Sequence, residues 1–126
     1  MVLGIHPKRN PPKFVRRTFS KWFRQRKPGN LQAADTVILL NDTYMNHNYP
    51  EIGKSAVALL EAAGLKVVLS ETVCCGRPMI SKGMLDNATA NAVSNVEQLY
   101  SHAEAGVPVI GCEPDRKSTR LNYRHW

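Results

Sequence analysis

The residues that could do chemistry in this sequence are its three cysteines. Cys74 and Cys75 stand side by side in Cys74-Cys75-Gly76-Arg77, and Cys112 follows Gly111 and precedes Glu113-Pro114. Thiolates are nucleophiles and soft metal ligands. Adjacent cysteines do not readily close a disulfide with each other in ordinary backbone geometry, whereas two neighbouring thiolates can reach separate irons of one cluster. Gly76 allows close backbone approach, and Arg77 offsets thiolate charge. A structural zinc site calls for paired Cys or Cys/His arms, and none is present, with His47 in a predicted loop and His102 late in a predicted helix. A cysteine nucleophile needs one activated thiol and a base, and a doubled cysteine adds nothing to that mechanism. Three inert buried thiols are the remaining alternative. An odd count of three, with no sign of export, disfavours a disulfide framework.

The elements that must position these residues follow from hydrophobic pattern. The runs Thr36 to Leu40, Leu65 to Leu69 and Val107 to Ile110 are short and apolar, as expected of strands buried on both faces of a parallel sheet. Between the first two, Pro50 opens a helix whose apolar stripe is expected at Ile52, Ala56, Leu59, Leu60 and Ala63, closed by Gly64. Between the second and third, a helix is expected after Ser81 with the stripe Leu85, Ala88, Ala92, Val96, Leu99 and Ala103, closed by Gly106. The order strand, helix, strand, helix, strand predicts a small α/β domain of two or three layers, with a parallel sheet of about three strands and right-handed crossover helices.

In such a sheet the ligand site lies outside the carboxyl edge. The loops leaving that edge are Asn41–Tyr49, with Asp42 and Tyr44, then Val73–Gly83, with Cys74 and Cys75, and then Cys112–Pro114, with Glu113. Cysteines far apart in sequence are thus expected to meet at one edge. That convergence favours a metal or redox site over inert thiols.

Charge divides the chain unevenly. Residues 1–30 hold nine Lys/Arg and no acid, residues 31–114 hold four against nine Asp/Glu, and residues 115–126 hold four against one, giving the net +7. The segment 1–30 reads as a basic linker with an amphipathic helix from Phe14 to Arg26, placing Phe14, Thr18, Lys21 and Trp22 near one face, extended by Phe19 and Phe23, and broken at Lys27-Pro28-Gly29. Its aromatics should be covered by a neighbouring domain. The acidic body of the chain argues against nucleic acid as the partner. No apolar run is long enough for an integral membrane segment, and a cytoplasmic location is the expectation.

The runs NDTYMNHNYPEIGKSAVALLEAAG, CCGRPMISKGMLDNA and GVPVIGCEP resemble the cysteine-rich domain of Fe–S oxidoreductases of the kind found in the heterodisulfide reductase B-subunit and the glycolate oxidase iron–sulfur subunit. The nearest resemblance is to the C-terminal part of FAD-linked oxidases that fuse a flavin domain to iron–sulfur domains, and it spans about Pro11 to Pro114. It implies an iron–sulfur cluster with Cys74, Cys75 and Cys112 as metal ligands, and with Asp42, Tyr44, Gly76, Arg77 and Glu113 around it. Stricter members place a first Cys near Asp42 and a last Cys near Asp115 or Arg116, so this sequence departs from the pattern at both outer positions. Residues 115–126, DRKSTRLNYRHW, have no hydrophobic period, do not resemble the family's continuation and resemble translated sequencing-adapter DNA. The cysteine-rich domain, residues 31–114, is therefore expected to be truncated.

The resemblance implies an electron-transfer module of a flavin-dependent dehydrogenase acting on a small 2-hydroxy acid such as lactate or glycolate. FAD would sit on a missing domain, because no Gly-rich phosphate loop follows a strand here. The implied partners are a flavin-containing dehydrogenase domain or subunit and an electron acceptor. The alternative is a non-catalytic structural or interaction domain that has lost its cluster.

Overall fold

The computed structural model describes residues 8, 10, 12–27 and 35–112. Its strands are β1 (Thr36–Leu39), β2 (Lys66–Leu69) and β3 (Val109–Ile110), and its helices are α1 (Phe19–Gln25), α2 (Thr43–His47), α3 (Pro50–Ala62), α4 (Arg77–Ser81) and α5 (Leu85–Glu104). The sheet is parallel in the order β2-β1-β3. The expected small α/β domain is therefore observed. β1 is central, which is why Val37, Ile38 and Leu39 are all buried in a continuous apolar run rather than alternating.

The core gathers Phe19, Val37, Leu39, Met45, Val57 and Val67, drawn from α1, β1, α2, α3 and β2. Phe19 is its largest member and has no exposed surface. Its ring lies on Gly53 of α3, where a Cβ would come within 2.7 Å of two ring carbons. This contact rotates α3 away from the expected stripe. Ile52 and Leu59 are exposed, while Gly53 and Val57 are buried and Ala56 and Leu60 are partly so. A glycine that receives an aromatic ring leaves no mark in a hydrophobic count.

α1 is shorter than the amphipathic pattern predicts. Thr18, expected on the helical face, is instead the N-cap, its Oγ1 accepting from the Lys21 N–H at 3.3 Å, and Phe14 is 81% exposed. The aromatics of α1 are covered by this domain's own α2 and α3. Phe19 stacks on Trp22 and tilts against Phe23, and Arg26 lies 4.3 Å from the Phe23 ring while pairing with Glu61 of α3 at 2.6 Å. The chain before α1 is tied to α2 through Val15 N–H to the His47 carbonyl and Asn48 Nδ2 to the Lys13 carbonyl, both 2.9 Å.

Both long loops of the sequence reading contain a short helix. Asp42 initiates α2 within Asn41–Tyr49, and Gly76 initiates α4 within Val73–Gly83 with Pro78 in its first turn. Polar caps and proline produce these turns, and neither leaves a hydrophobic period to detect.

The face of α5 also differs from expectation. Of its predicted apolar stripe only Ala88 is buried and Leu99 half-buried, while Leu85 and Val96 are about 60% exposed. Among the described residues no helix is long and apolar enough to cross a membrane.

Candidate thiol site at the carboxyl edge of the sheet

Register places Leu39 beside Leu69 on one side and Ile110 on the other, so the three chain exits open together at one edge. Ser70 fastens the first two. Its N–H donates to the Leu39 carbonyl at 2.9 Å, its Oγ accepts from the Asn41 N–H at 3.0 Å, and the same hydroxyl pairs with Thr72 Oγ1 at 2.8 Å. It is the buried polar residue of the edge, and its pairing removes the cost of that burial.

A cleft of about 240 Å³ opens above these exits, with Asp42, Val73, Cys75, Arg77, Asn95 and Cys112 in its wall. Two cysteines separated by the whole α4–α5–β3 segment therefore face one space. Cys75 is exposed, while Cys74 and Cys112 are half-buried, and Cys74 lies next to the cleft rather than in its wall. Tyr44 is 55% exposed and does not line the cleft. Glu113 and the 115–126 tail lie outside the described residues.

The outer positions of the site have separate tasks. Asp42 Oδ1 accepts from the Tyr44 N–H at 2.9 Å and the Met45 N–H at 3.0 Å, satisfying two orphan donors at the start of α2. Gly76 is buried with φ of +78°, and a Cβ there would sit 3.3 Å from Ala88 Cα and Cβ. Its freedom is used to turn the chain into α4 and to press it onto α5.

Two residues of the site were invisible to motif reading. Asn95 Oδ1 accepts from the Val73 N–H at 2.8 Å and its Nδ2 donates to the Val73 carbonyl at 3.3 Å, while Asn91 Nδ2 donates to the Cys74 carbonyl at 3.1 Å. Asparagine is a poor interior helix residue because its side chain competes for backbone groups. Two of them four apart in the middle of α5 were the available signal.

Burial pushes the Cys112 thiol above its ordinary pKa, and the negative charge of Asp42 adds to the rise. The protonated thiol is thus favoured at this end of the cleft. The donor chemistry suits a thiophilic metal, since Cys75 and Cys112 share the cleft and Cys74 adjoins it. Yet among the described residues no group of three or more His, Cys, Asp and Glu side chains is close enough to hold a metal ion. The described thiols are soft donors without a closed ligand set.

Residues 43–113 match the CCG family, described as a cysteine-rich domain. The chain is 36% identical over 111 residues to the C-subunit of the anaerobic glycerol-3-phosphate dehydrogenase of Escherichia coli strain K12, and equally to that of Escherichia coli O157:H7. Each alignment covers 86% of this chain and 28% of the relative, so the chain spans just over a quarter of the length of these relatives. No solved structure matches it significantly. The matched segment runs from the first turn of α2 to the residue after Cys112, taking in all three cysteines, and on that match the chain belongs to the CCG cysteine-rich domain family of Fe–S oxidoreductases.

Proposed function

We propose that this chain is the cysteine-rich module of an electron-transfer iron–sulfur oxidoreductase, with Cys75 and Cys112 as thiolate ligands in the cleft, Cys74 as a third beside it, and the remaining ligands from residues beyond those described. The observation that carries this reading is the shared cleft, which joins the two cysteine segments across the sheet edge. The family match supports it. A bound cluster would supply one-electron chemistry. The chain's own part is to hold soft donors on a rigid edge, with Arg77 in the wall as a counter-charge to thiolates.

The partner in this reading is a flavin-containing dehydrogenase domain or subunit that passes electrons through the module to an acceptor. Its substrate is a small hydroxylated molecule. The sequence resemblance favours a 2-hydroxy acid such as lactate or glycolate, and the relatives' name favours glycerol 3-phosphate. In this proposal residues 31–114 are the cysteine-rich module, and residues 1–30 lead into it and lend its core Phe19 of α1.

The second reading, a structural or interaction domain without a cluster, is favoured by Asp42. At the position where stricter members carry a cysteine, its carboxylate caps α2. Anaerobic reconstitution of the intact protein with iron and sulfide, followed by absorption and electron paramagnetic resonance, separates the two. Bound iron with a cluster signal supports the module, and an intact protein that takes up no iron supports the structural domain.

A further inference from the structure

We propose that Asn91 and Asn95 of α5 are positioning residues for Cys75, fixing the backbone from which its thiol enters the cleft. The inference rests on the reading of Cys75 as a functional thiol and adds the device that aims it.

Burial orients α5 only in small part. Leu85, Val93, Val96 and Tyr100 are each more than half exposed, and Ala88 is its one buried residue. Its fixed relation to the cysteine segment comes from the other edge of the helix. There, Asn95 takes both backbone groups of Val73 in the way a neighbouring strand would, and Asn91 takes the carbonyl of Cys74. The two successive peptide carbonyls that precede Cys74 and Cys75 are therefore both held on α5.

With Val73 and Cys74 pinned, and Gly76 pressed on Ala88 just after, Cys75 is the residue between two anchors. It lines the cleft and is exposed, whereas Cys74 is half-buried. Asn91 Nδ2 also lies 3.7 Å from Met79 Sδ, which ties the same clamp to α4. A helix interior that spends two asparagines on a loop forgoes helix propensity at both sites. Their four-residue spacing sets them on one face of α5, one turn apart, within reach of the consecutive residues Val73 and Cys74.

The test uses the reduced, metal-free chain at one pH, so it stands whether or not iron binds. Brief alkylation with iodoacetamide, located by fragment mass spectrometry, should label Cys75 faster than Cys74. Asn91→Ala and Asn95→Ala should each narrow that ratio by about fivefold, the scale of one lost hydrogen bond. Gln98→Ala, on the same helix but with its side-chain amide bonded to Ser94 rather than to the cysteine segment, should leave it unchanged. Amide hydrogen exchange supplies the reading that survives a poorly folded variant. The Val73 N–H should be protected in the unaltered chain, exposed in Asn95→Ala, and protected again in Asn95→Asp, which keeps the acceptor. An alkylation ratio unmoved by both alanine variants, or a Val73 amide that exchanges freely in the unaltered chain, overturns the proposal. A ratio that narrows in a chain whose intact parent takes up no iron would retain the clamp and remove the cluster.

Discussion

The half of the domain from α1 to β2 and the half from α4 to β3 are held by different means. The first supplies Phe19, Val37, Ile38, Leu39, Met45, Val57 and Val67 to the core, while the second contributes only Ala88 to the buried hydrophobic set. Apolar burial contributes about 1.5–3 kcal/mol for each large side chain, so the first half can set its own geometry. The second relies on directed polar contacts: asparagine to backbone at Val73 and Cys74, and a glycine pressed against Ala88. The adjacent cysteines sit in this second half, on a segment whose placement depends on a few hydrogen bonds. Asp42, across the cleft, belongs to the first. A cysteine-bearing cleft can thus be built with one wall fixed by packing and the other by polar clamps.

The largest difference between the two halves should show at Phe19. Phe19→Ala should cost about 3–5 kcal/mol in chemical denaturation, because Gly53 leaves no side chain to fill the space. A loss below about 1 kcal/mol would show that the first half is not held by its core. Asp42→Ala should cost about 1 kcal/mol by removing the α2 cap, and Asp42→Asn much less, since asparagine caps as well as aspartate.

The same Asp42→Asn change sharpens the electrostatic contrast at a smaller scale. Cys112 should alkylate with a pH midpoint above that of an ordinary thiol, and Asp42→Asn should bring it partly down, removing the lesser of its two causes. Because the folded thiol holds its proton more tightly than the unfolded one, its contribution to stability is complete below the unfolded pKa. It is lost as pH rises through the folded value. The denaturation midpoint should therefore fall across that window, and Cys112→Ser should flatten the fall. Smallest of all is Val96→Ser on the outer face of α5, expected within about 0.5 kcal/mol. A cost of about 2 kcal/mol or more would mean that this half is packed after all.

The strands were readable because a continuous apolar run such as Thr36–Leu39 has one common explanation in an alternating α/β order, and the carboxyl edge followed from that order. Helix faces were not readable. The α3 face is set by a glycine under Phe19, and the α5 face by asparagines that bond a loop, and neither feature counts as hydrophobic. Short α2 and α4 escaped notice because Asp42 and Pro78 mark turns and helix starts alike. Cys75, Cys112, Asp42 and Arg77 were brought to one cleft from topology alone, whereas Tyr44 does not line it, Gly76 turns out to be a packing glycine, and the clamp was found only in three dimensions.

The most direct test of a thiolate-held cluster in the cleft is the iron content of the intact protein after anaerobic reconstitution, compared among Cys75→Ser, Cys112→Ser and Asp42→Asn. Either cysteine variant should lose bound iron and its paramagnetic signal, while Asp42→Asn, at a position whose carboxylate serves the α2 cap, should retain both. Iron retained in both cysteine variants would contradict such a cluster.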